Sequence, residues 1–220
     1  MRTVDRLLAA SASIWEDCYR HPFVQGLADG TLGVDRFRFY IIQDYLYLVD
    51  YAKVFAVGIT KAQSLDVMKL FSGYIHRIFH GEMDIHNGYV ETLKITQEEI
   101  DAMPVSLDSR SYTSYMLAVA HDGTATDALV AILSCALSYE EIGRRIAAEH
   151  PEALNHPVFG EWVRGYASER YHQDNVLLVE MLERLTQGIT EAELTRLEEI
   201  FCISSRYELS FWDMAWEKRL

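Results

Sequence analysis

Apolar residues along this chain recur every three or four positions, which is the period of a helix face. The spacing predicts helices near 3–19, 34–57, 64–93, 109–121, 126–148, 157–185 and 190–217, with a short one near 23–29. Three of these helices carry long apolar stripes. The stripes are Phe37, Tyr40, Asp44, Tyr47, Tyr51 and Val54; Ala128, Ile132, Cys135, Tyr139, Ile142 and Ile146; and Leu194, Leu197, Phe201, Ser204, Glu208, Phe211 and Ala215.

Local signals support the predicted helix ends. Thr96 to Glu99 and Thr190 to Glu193 match the capping-box pattern at a helix start. No alternating strand pattern and no linker rich in Gly, Ser or Pro interrupts the chain. We therefore expect residues 1–220 to form a single all-α domain, built as a bundle of about seven or eight helices.

Composition narrows the class of protein. A net charge of −13 over 220 residues argues against a nucleic-acid partner, which favours a basic surface. No apolar run reaches the roughly 18 residues of a membrane helix, and no signal peptide is recognisable near the start. Three widely spaced cysteines form no disulfide or metal-binding pattern. We expect a cytoplasmic protein with no membrane partner.

Each apolar stripe also carries one side chain that can do chemistry. Asp44, Cys135 and Glu208 stand where a core-facing stripe favours apolar residues. A buried, unpaired charge is costly, so two carboxylates in such positions require partners or a function. Together the three stripes predict a buried site lined by aromatic side chains.

Each of these side chains has a purely structural interpretation as well as a functional one. Asp44 either accepts tyrosine hydrogen bonds that orient the bundle or binds a polar group of a flat ligand. Cys135 is either a small core residue or a thiolate nucleophile. Glu208 either pairs with a basic residue or is desolvated, with a raised pKa suited to a general acid. Cys18 and Cys202 have no comparable setting and are interpreted as structural.

Metal sites are less well supported. A di-iron helical bundle uses two Glu-x-x-His motifs, whereas this chain has one, at Glu169 and His172. A second group of possible ligands falls on the polar face of its helix, where solvation is the simpler interpretation. That group is His76, His80, Glu82, Asp84 and His86. Haem needs only one well-placed histidine, so the sequence does not exclude it.

Several segments together resemble the TenA family, the thiaminase II enzymes. They are HPFVQGLADGTL at 21–32, RFRFYIIQDYLYL at 36–48, CALSYEEIG at 135–143, GYASERY at 165–171 and YELSFWDMAW at 207–216. The resemblance implies the all-α fold shared by TenA proteins and haem oxygenases. It also implies hydrolysis at the C5-methylene of a 4-aminopyrimidine, either thiamin or aminomethyl-aminopyrimidine, to give hydroxymethylpyrimidine for thiamin salvage. Members are usually homotetramers and need no metal or other cofactor.

The resemblance also implies roles for individual residues. Cys135 would be the nucleophile that adds to the pyrimidine ring, and Glu208 would donate a proton. Asp44 would bind the ring nitrogen and the exocyclic amine. Tyr139 and Tyr166 would bind the pyrimidine, and Tyr47 would tune Cys135 or Glu208. The pocket would be lined by Tyr112, Tyr51 and Phe211.

The chain departs from the family pattern directly after the cysteine. Many Cys-containing members have proline and a large aromatic residue there, where this chain has Ala136 and Leu137. We therefore expect a different pocket wall beside Cys135, which leaves the preferred leaving group open. Two other hypotheses remain: a metal-dependent oxygenase on the same bundle, and a non-catalytic pyrimidine-binding or regulatory protein.

Overall fold

The computed structural model of the protein describes residues 2–220, apart from the side chains of residues 81, 82 and 84–86. Within this part of the chain there are helices and connecting turns but no β-strand. The α-helices are α1 (Thr3–Arg20), α2 (Pro22–Asp29), α3 (Val34–Lys61), α4 (Leu65–Arg77), α5 (Met83–Thr92), α6 (Gln97–Ala102), α7 (Leu107–Asp122), α8 (Ala125–Glu149), α9 (Gly160–Tyr166), α10 (Glu169–Leu185) and α11 (Glu191–Glu217). The all-α prediction is confirmed.

Side-chain hydrogen bonds cap the N-termini of most of these helices. Both predicted capping boxes form. Thr96 and Glu99 cap the start of α6, and Thr190 and Glu193 cap the start of α11. In each box the threonine hydroxyl accepts a backbone N–H and the glutamate accepts the N–H of the capping residue. Two otherwise unsatisfied donors are thereby paired at each helix start.

Two segments predicted as single helices are interrupted. The segment near 64–93 contains a π-helical turn at Ile78–Glu82 between α4 and α5, with His80 outside helical geometry. The segment near 157–185 stops after α9 and restarts at α10, because the Ser168 hydroxyl accepts the Tyr171 backbone N–H as a new cap. Apolar periodicity does not reveal such breaks, because the buried side chains continue on both sides.

The three striped helices form the centre of the bundle. α8 packs against α3, α7 and α11, and α11 also packs against α1 and α3. Almost every stripe residue is buried, with Leu194 and Cys135 half-buried. Full burial of one large apolar side chain contributes about 1.5–3 kcal/mol. The same stripes that hold the bundle together therefore direct Asp44, Cys135 and Glu208 into its interior.

A close helix contact fixes α9 against α8. A Cβ atom at Gly143 would lie 2.7 Å from Tyr166 Cβ and 2.9 Å from the Tyr166 carbonyl carbon. The space at Gly143 thus admits only a glycine unless α9 moves. α9 carries Trp162 and Tyr166, so this contact sets their distance from the core.

None of the described helices is both long enough and apolar enough to cross a membrane.

Candidate active site

One cavity in the bundle core is lined by side chains from four helices. It has an empty volume of about 140 Å³. Its lining residues are Asp44 and Tyr47 of α3, Tyr112 of α7, Cys135 and Tyr139 of α8, and Glu208 and Phe211 of α11. The two carboxyl groups and the thiol, singled out by the sequence on three separate helices, thus meet at one place.

Helix geometry explains why the lining residues come in pairs. Asp44 and Tyr47 lie three residues apart on α3, and Cys135 and Tyr139 lie four apart on α8. Residues with this spacing are neighbours on one face. α3, α8 and α11 therefore each present one reactive group and one aromatic ring to the same cavity, and α7 adds Tyr112.

The aromatic walls pack against one another. Tyr47 lies 5.5 Å from Tyr112 and 5.5 Å from Phe211, measured between ring centroids. Tyr47 is also stacked on Tyr51 at 5.3 Å, and Tyr112 on Tyr207 at 5.2 Å. Such pairs stabilise a core beyond simple burial and hold ring positions closely. The cavity therefore has flat aromatic walls suited to a planar ligand.

Glu208 is buried, with 2% of its surface exposed. Burial raises its pKa from 4.5 to about 8, and the charge of Asp44 contributes to the increase. Polar contacts with Tyr112 and Cys135 oppose the shift but do not cancel it. At neutral pH the carboxyl group is therefore protonated, which is the state that a general acid requires.

Two tyrosine hydroxyls beside Glu208 have unused hydrogen-bonding capacity. Among the described residues, Tyr47 OH, Tyr112 OH and Glu208 Oε1 have no hydrogen-bond partner of normal geometry. Burial raises the pKa of both tyrosines well above the usual value, so both hydroxyls stay protonated. Most buried polar groups in proteins are paired, and three unpaired ones around one cavity indicate that a ligand completes the pairing.

Asp44 accepts a hydrogen bond from the tyrosine one turn before it, which is one of the two roles that its place on the stripe indicates. Tyr40 OH donates to Asp44 Oδ2 at 3.3 Å and lies 3.3 Å from Tyr139 OH. Trp162 Nε1 donates to Tyr40 OH at 3.0 Å. Tyr40 precedes Asp44 by one turn on the same stripe, so the spacing already contained this signal. No such signal marks Trp162, because it lies on α9, far from Asp44 along the chain.

Two of the predicted site residues do not line the cavity. Tyr51 lies behind Tyr47 and donates to the backbone carbonyl of Ile132 at 2.9 Å. Tyr166 packs on Tyr139 with ring centroids 4.8 Å apart. Both therefore support cavity walls from outside in this conformation, and their predicted ligand roles remain predictions.

The residues after Cys135 also point away from the cavity. Neither Ala136 nor Leu137 lines it. The Ala136 carbonyl accepts a hydrogen bond from Asn175 of α10 at 2.9 Å, and Leu137 lines a surface groove beside α1 and α10. The helix turns both residues to other faces, and the expected effect of this departure from the family pattern on the leaving group remains a prediction.

The candidate metal ligands have other partners where they are described. His172 Nδ1 lies 2.5 Å from Glu140 Oε1, and Glu169 accepts a hydrogen bond from Gln173 at 2.6 Å. His76 and His80 are exposed, as expected for a solvated face, while the side chains of Glu82, Asp84 and His86 fall outside the described residues. In the described part of the chain no three His, Cys, Asp or Glu side chains are grouped to hold a metal ion.

Known proteins resemble this chain over almost its whole length. A protein from Helicobacter pylori named aminopyrimidine aminohydrolase is 44% identical over 217 residues, which cover 99% of this chain and 100% of that protein. A solved structure described as a TenA homologue from P. horikoshii OT3 superposes with a TM-score of 0.88 at 30% identity, covering 99% of both chains. A domain with a heme oxygenase-like fold from Shewanella denitrificans OS217 has a TM-score of 0.75 at 14% identity, covers 98% of this chain and 92% of that chain, and so shares the fold alone. The family model described as TENA/THI-4/PQQC matches residues 8–218, and the chain therefore belongs to that family.

Proposed function

We propose that this protein is an aminopyrimidine aminohydrolase of the thiaminase II type. It would hydrolyse the bond between the C5-methylene of a 4-aminopyrimidine and its leaving group, releasing hydroxymethylpyrimidine. The observation that carries this proposal is the convergence of Cys135, Glu208 and Asp44 on one cavity walled by tyrosines. The name of the Helicobacter pylori relative supports the substrate class.

The chemistry needs a nucleophile and an acid on a fixed flat ring. The thiolate of Cys135 adds to C6 of the pyrimidine, and a proton on a ring nitrogen makes the loss of aromaticity tolerable. The electron pair then breaks the bond between the C5-methylene carbon and the leaving group, which departs with a proton, and an exocyclic methylene remains at C5. Water adds to that methylene, the thiolate leaves C6, and aromaticity returns. The sum is substrate plus water giving hydroxymethylpyrimidine plus the protonated leaving group.

Glu208 suits the acid step. With a pKa of about 8 it holds a proton at neutral pH and still loses it readily to a basic ring nitrogen or leaving group. The Tyr112 hydroxyl contacts Glu208, and neither it nor the Tyr47 hydroxyl has a hydrogen-bond partner of normal geometry among the described residues. Both are therefore available to donate to the ligand or to stabilise Glu208 after proton transfer. Buried donors that need no reorientation are effective stabilisers of developing charge.

Asp44 suits recognition of the ring edge. A carboxylate accepts hydrogen bonds from an exocyclic amine and from a protonated ring nitrogen. The aromatic walls hold the ring plane, because Tyr47, Tyr112 and Phe211 line the same cavity and pack against one another. Tyr139 contributes a further hydroxyl at this edge.

The cavity is small for its proposed ligand. In this conformation the enclosed space does not admit even a water molecule, whereas ligand pockets typically have roughly 300–1,000 Å³. Substrate entry therefore requires outward movement of wall side chains. A closed wall excludes bulk water from the covalent intermediate and so limits which water molecules reach the methylene.

The test compares two substrates in parallel. Purified protein is incubated with thiamin and with aminomethyl-aminopyrimidine, and hydroxymethylpyrimidine is quantified by chromatography. We expect release from at least one of them, and the ratio of kcat/KM identifies the leaving group. Cys135→Ala serves as the inactive control. Tight binding of hydroxymethylpyrimidine without turnover of either precursor would contradict the proposal and favour a binding protein, and stoichiometric iron in the active preparation would favour an oxygenase.

We also infer the organisation of the whole chain. One connected cluster of buried residues takes members from α1, α3, α8 and α11, which supports a single domain over residues 1–220. Three free cysteines fit a reducing cytoplasm. A homotetramer is expected from the family resemblance, and light scattering coupled to size-exclusion chromatography measures it directly.

A further inference from the structure

A single buried hydroxyl connects the two groups that would read the polar edge of the ring. Tyr40 is fully buried. Its hydroxyl donates to Asp44 Oδ2 at 3.3 Å and lies 3.3 Å from the hydroxyl of Tyr139. Asp44 and Tyr139 line the cavity, whereas Tyr40 does not.

The hydrogen-bond direction at Tyr40 follows from the chemistry of its partners. The indole N–H of Trp162 can only donate, and it occupies one lone pair of the Tyr40 oxygen at 3.0 Å. The phenol has one proton of its own. A carboxylate is a stronger acceptor than a neutral hydroxyl, so the proton is directed at Asp44. Trp162 thus leaves Tyr40 free to act as a donor to the carboxylate.

Packing fixes the position of the Tyr40 hydroxyl. The Tyr40 ring is stacked on Trp212 at 5.7 Å and on Phe37 at 5.9 Å. The backbone N–H of Trp162 donates to Tyr89 OH at 2.7 Å, which holds the Trp162 backbone in place on α9. With its ring packed against two aromatic neighbours, the Tyr40 hydroxyl has a defined place between α3, α8 and α9.

We propose that Tyr40 is a positioning residue that fixes Asp44 and Tyr139 relative to each other for pyrimidine binding, with Trp162 orienting its hydroxyl. The inference rests on the proposed function in that the ligand is a 4-aminopyrimidine. It concerns binding, however, and does not depend on hydrolysis. Tyr40 acts through Asp44 and Tyr139 and does not itself touch the ligand.

Tyr40→Phe tests this, because it removes only the hydroxyl. We expect hydroxymethylpyrimidine to bind about tenfold to a hundredfold more weakly by calorimetry, as for loss of a hydrogen bond to a charged group. KM should rise by a similar factor while kcat changes less. A merely structural defect would instead lower the active fraction, and so kcat, at unchanged KM and unchanged binding constant.

Tyr19→Phe is the matched control. Tyr19 is also buried, and its hydroxyl donates to a carboxylate, Glu149, at 2.7 Å, but it lies outside the cavity. We expect wild-type binding and KM from it. Trp162→Phe should weaken binding less than Tyr40→Phe, because the bond from Tyr40 to Asp44 remains.

The outcomes separate this inference from the proposed function. Binding of hydroxymethylpyrimidine by the wild type without turnover would defeat the hydrolase proposal, yet Tyr40→Phe would still decide the positioning role. Equal binding by wild type and Tyr40→Phe would overturn the positioning role alone. Failure of the wild type to bind the pyrimidine at all would overturn both.

Discussion

The carboxyl group of Glu208 and the hydroxyl group of Tyr112 lie side by side in the core, yet neither Glu208 Oε1 nor Tyr112 OH has a hydrogen-bond partner of normal geometry among the described residues. A buried polar group without a partner destabilises the folded state by about 1–3 kcal/mol. A bundle selected for stability alone would replace or pair such groups. Their retention in one cavity therefore fits a binding or catalytic role.

Removing the thiol of Cys135 should abolish turnover. We expect Cys135→Ala to lower the release of hydroxymethylpyrimidine by about a thousandfold or more, because no other side chain lining the cavity is a thiol. Binding of the pyrimidine should remain measurable by calorimetry. Cys202→Ala, a half-buried cysteine of α11 outside the cavity, is the control and should keep wild-type turnover. Near-normal activity of Cys135→Ala would exclude the covalent path.

The pH dependence of the rate should reveal the proton on Glu208. Since burial raises the pKa of this carboxyl group to about 8, the acid form predominates at neutral pH and is lost above pH 8. We expect kcat/KM to fall on the alkaline side with a midpoint near that value. A rate that keeps rising through pH 9 would show that no acid of this pKa takes part.

Glu208 should also make stability depend on pH. Between its usual pKa of 4.5 and about 8, the folded protein keeps a proton that the unfolded chain releases. The free energy of unfolding therefore falls as pH rises through this window, by up to about 1.4 kcal/mol per pH unit. This contribution of Glu208 to the free energy of unfolding is fully present below pH 4.5 and lost above pH 8.

Glu208→Gln removes this titration, so urea denaturation at several pH values should give a flatter profile than that of the wild type. Glu199→Gln changes an exposed glutamate of the same helix and should leave the slope unchanged. Identical slopes for wild type and Glu208→Gln would mean that Glu208 is ionised in the folded protein.

Tyr112→Phe should separate stability from function. Its hydroxyl lacks a hydrogen-bond partner of normal geometry among the described residues, so we expect its removal to leave stability unchanged or to raise it by up to about 1 kcal/mol. Turnover should nevertheless fall, because a donor beside Glu208 is lost. Tyr51→Phe provides the comparison: it loses the 2.9 Å bond to the Ile132 carbonyl and should cost about 0.5–1.5 kcal/mol. A larger loss for Tyr112→Phe than for Tyr51→Phe in urea denaturation would refute this assignment.

Gly143→Ala should damage the site through packing. The new Cβ would lie 2.7 Å from Tyr166 Cβ and 3.0 Å from the Ala167 backbone nitrogen, neither of which is the end of a flexible side chain. We expect a loss of about 1–3 kcal/mol and weaker pyrimidine binding, because α9 carries Trp162. Gly73→Ala is the control: its Cβ meets nothing closer than 3.6 Å, so helix propensity should stabilise the protein by about 0.5–1 kcal/mol. A neutral Gly143→Ala in thermal unfolding would show that α9 can move outward.

Much of the site was predictable because helices make contacts between residues close in sequence. The step from Tyr40 to Asp44, or from Cys135 to Tyr139, is one helical turn, so spacing alone indicates that the two side chains share a face. The breaks within 64–93 and 157–185 were not predictable in this way. A π-helical turn and a serine cap alter the helix axis without altering which residues are apolar.

The sequence by itself determined most of the helices, the stripes and the fact that Asp44, Cys135 and Glu208 face inward, because amphipathic periodicity is local and burial of the apolar face decides orientation. Only the tertiary structure decided that the three faces meet at one cavity, that Tyr51 and Tyr166 stand behind its walls, and that Trp162 orients Tyr40. These relationships depend on which helices pack together and at what distance. Such packing is set by side-chain volumes summed over the whole core, and no local pattern encodes it.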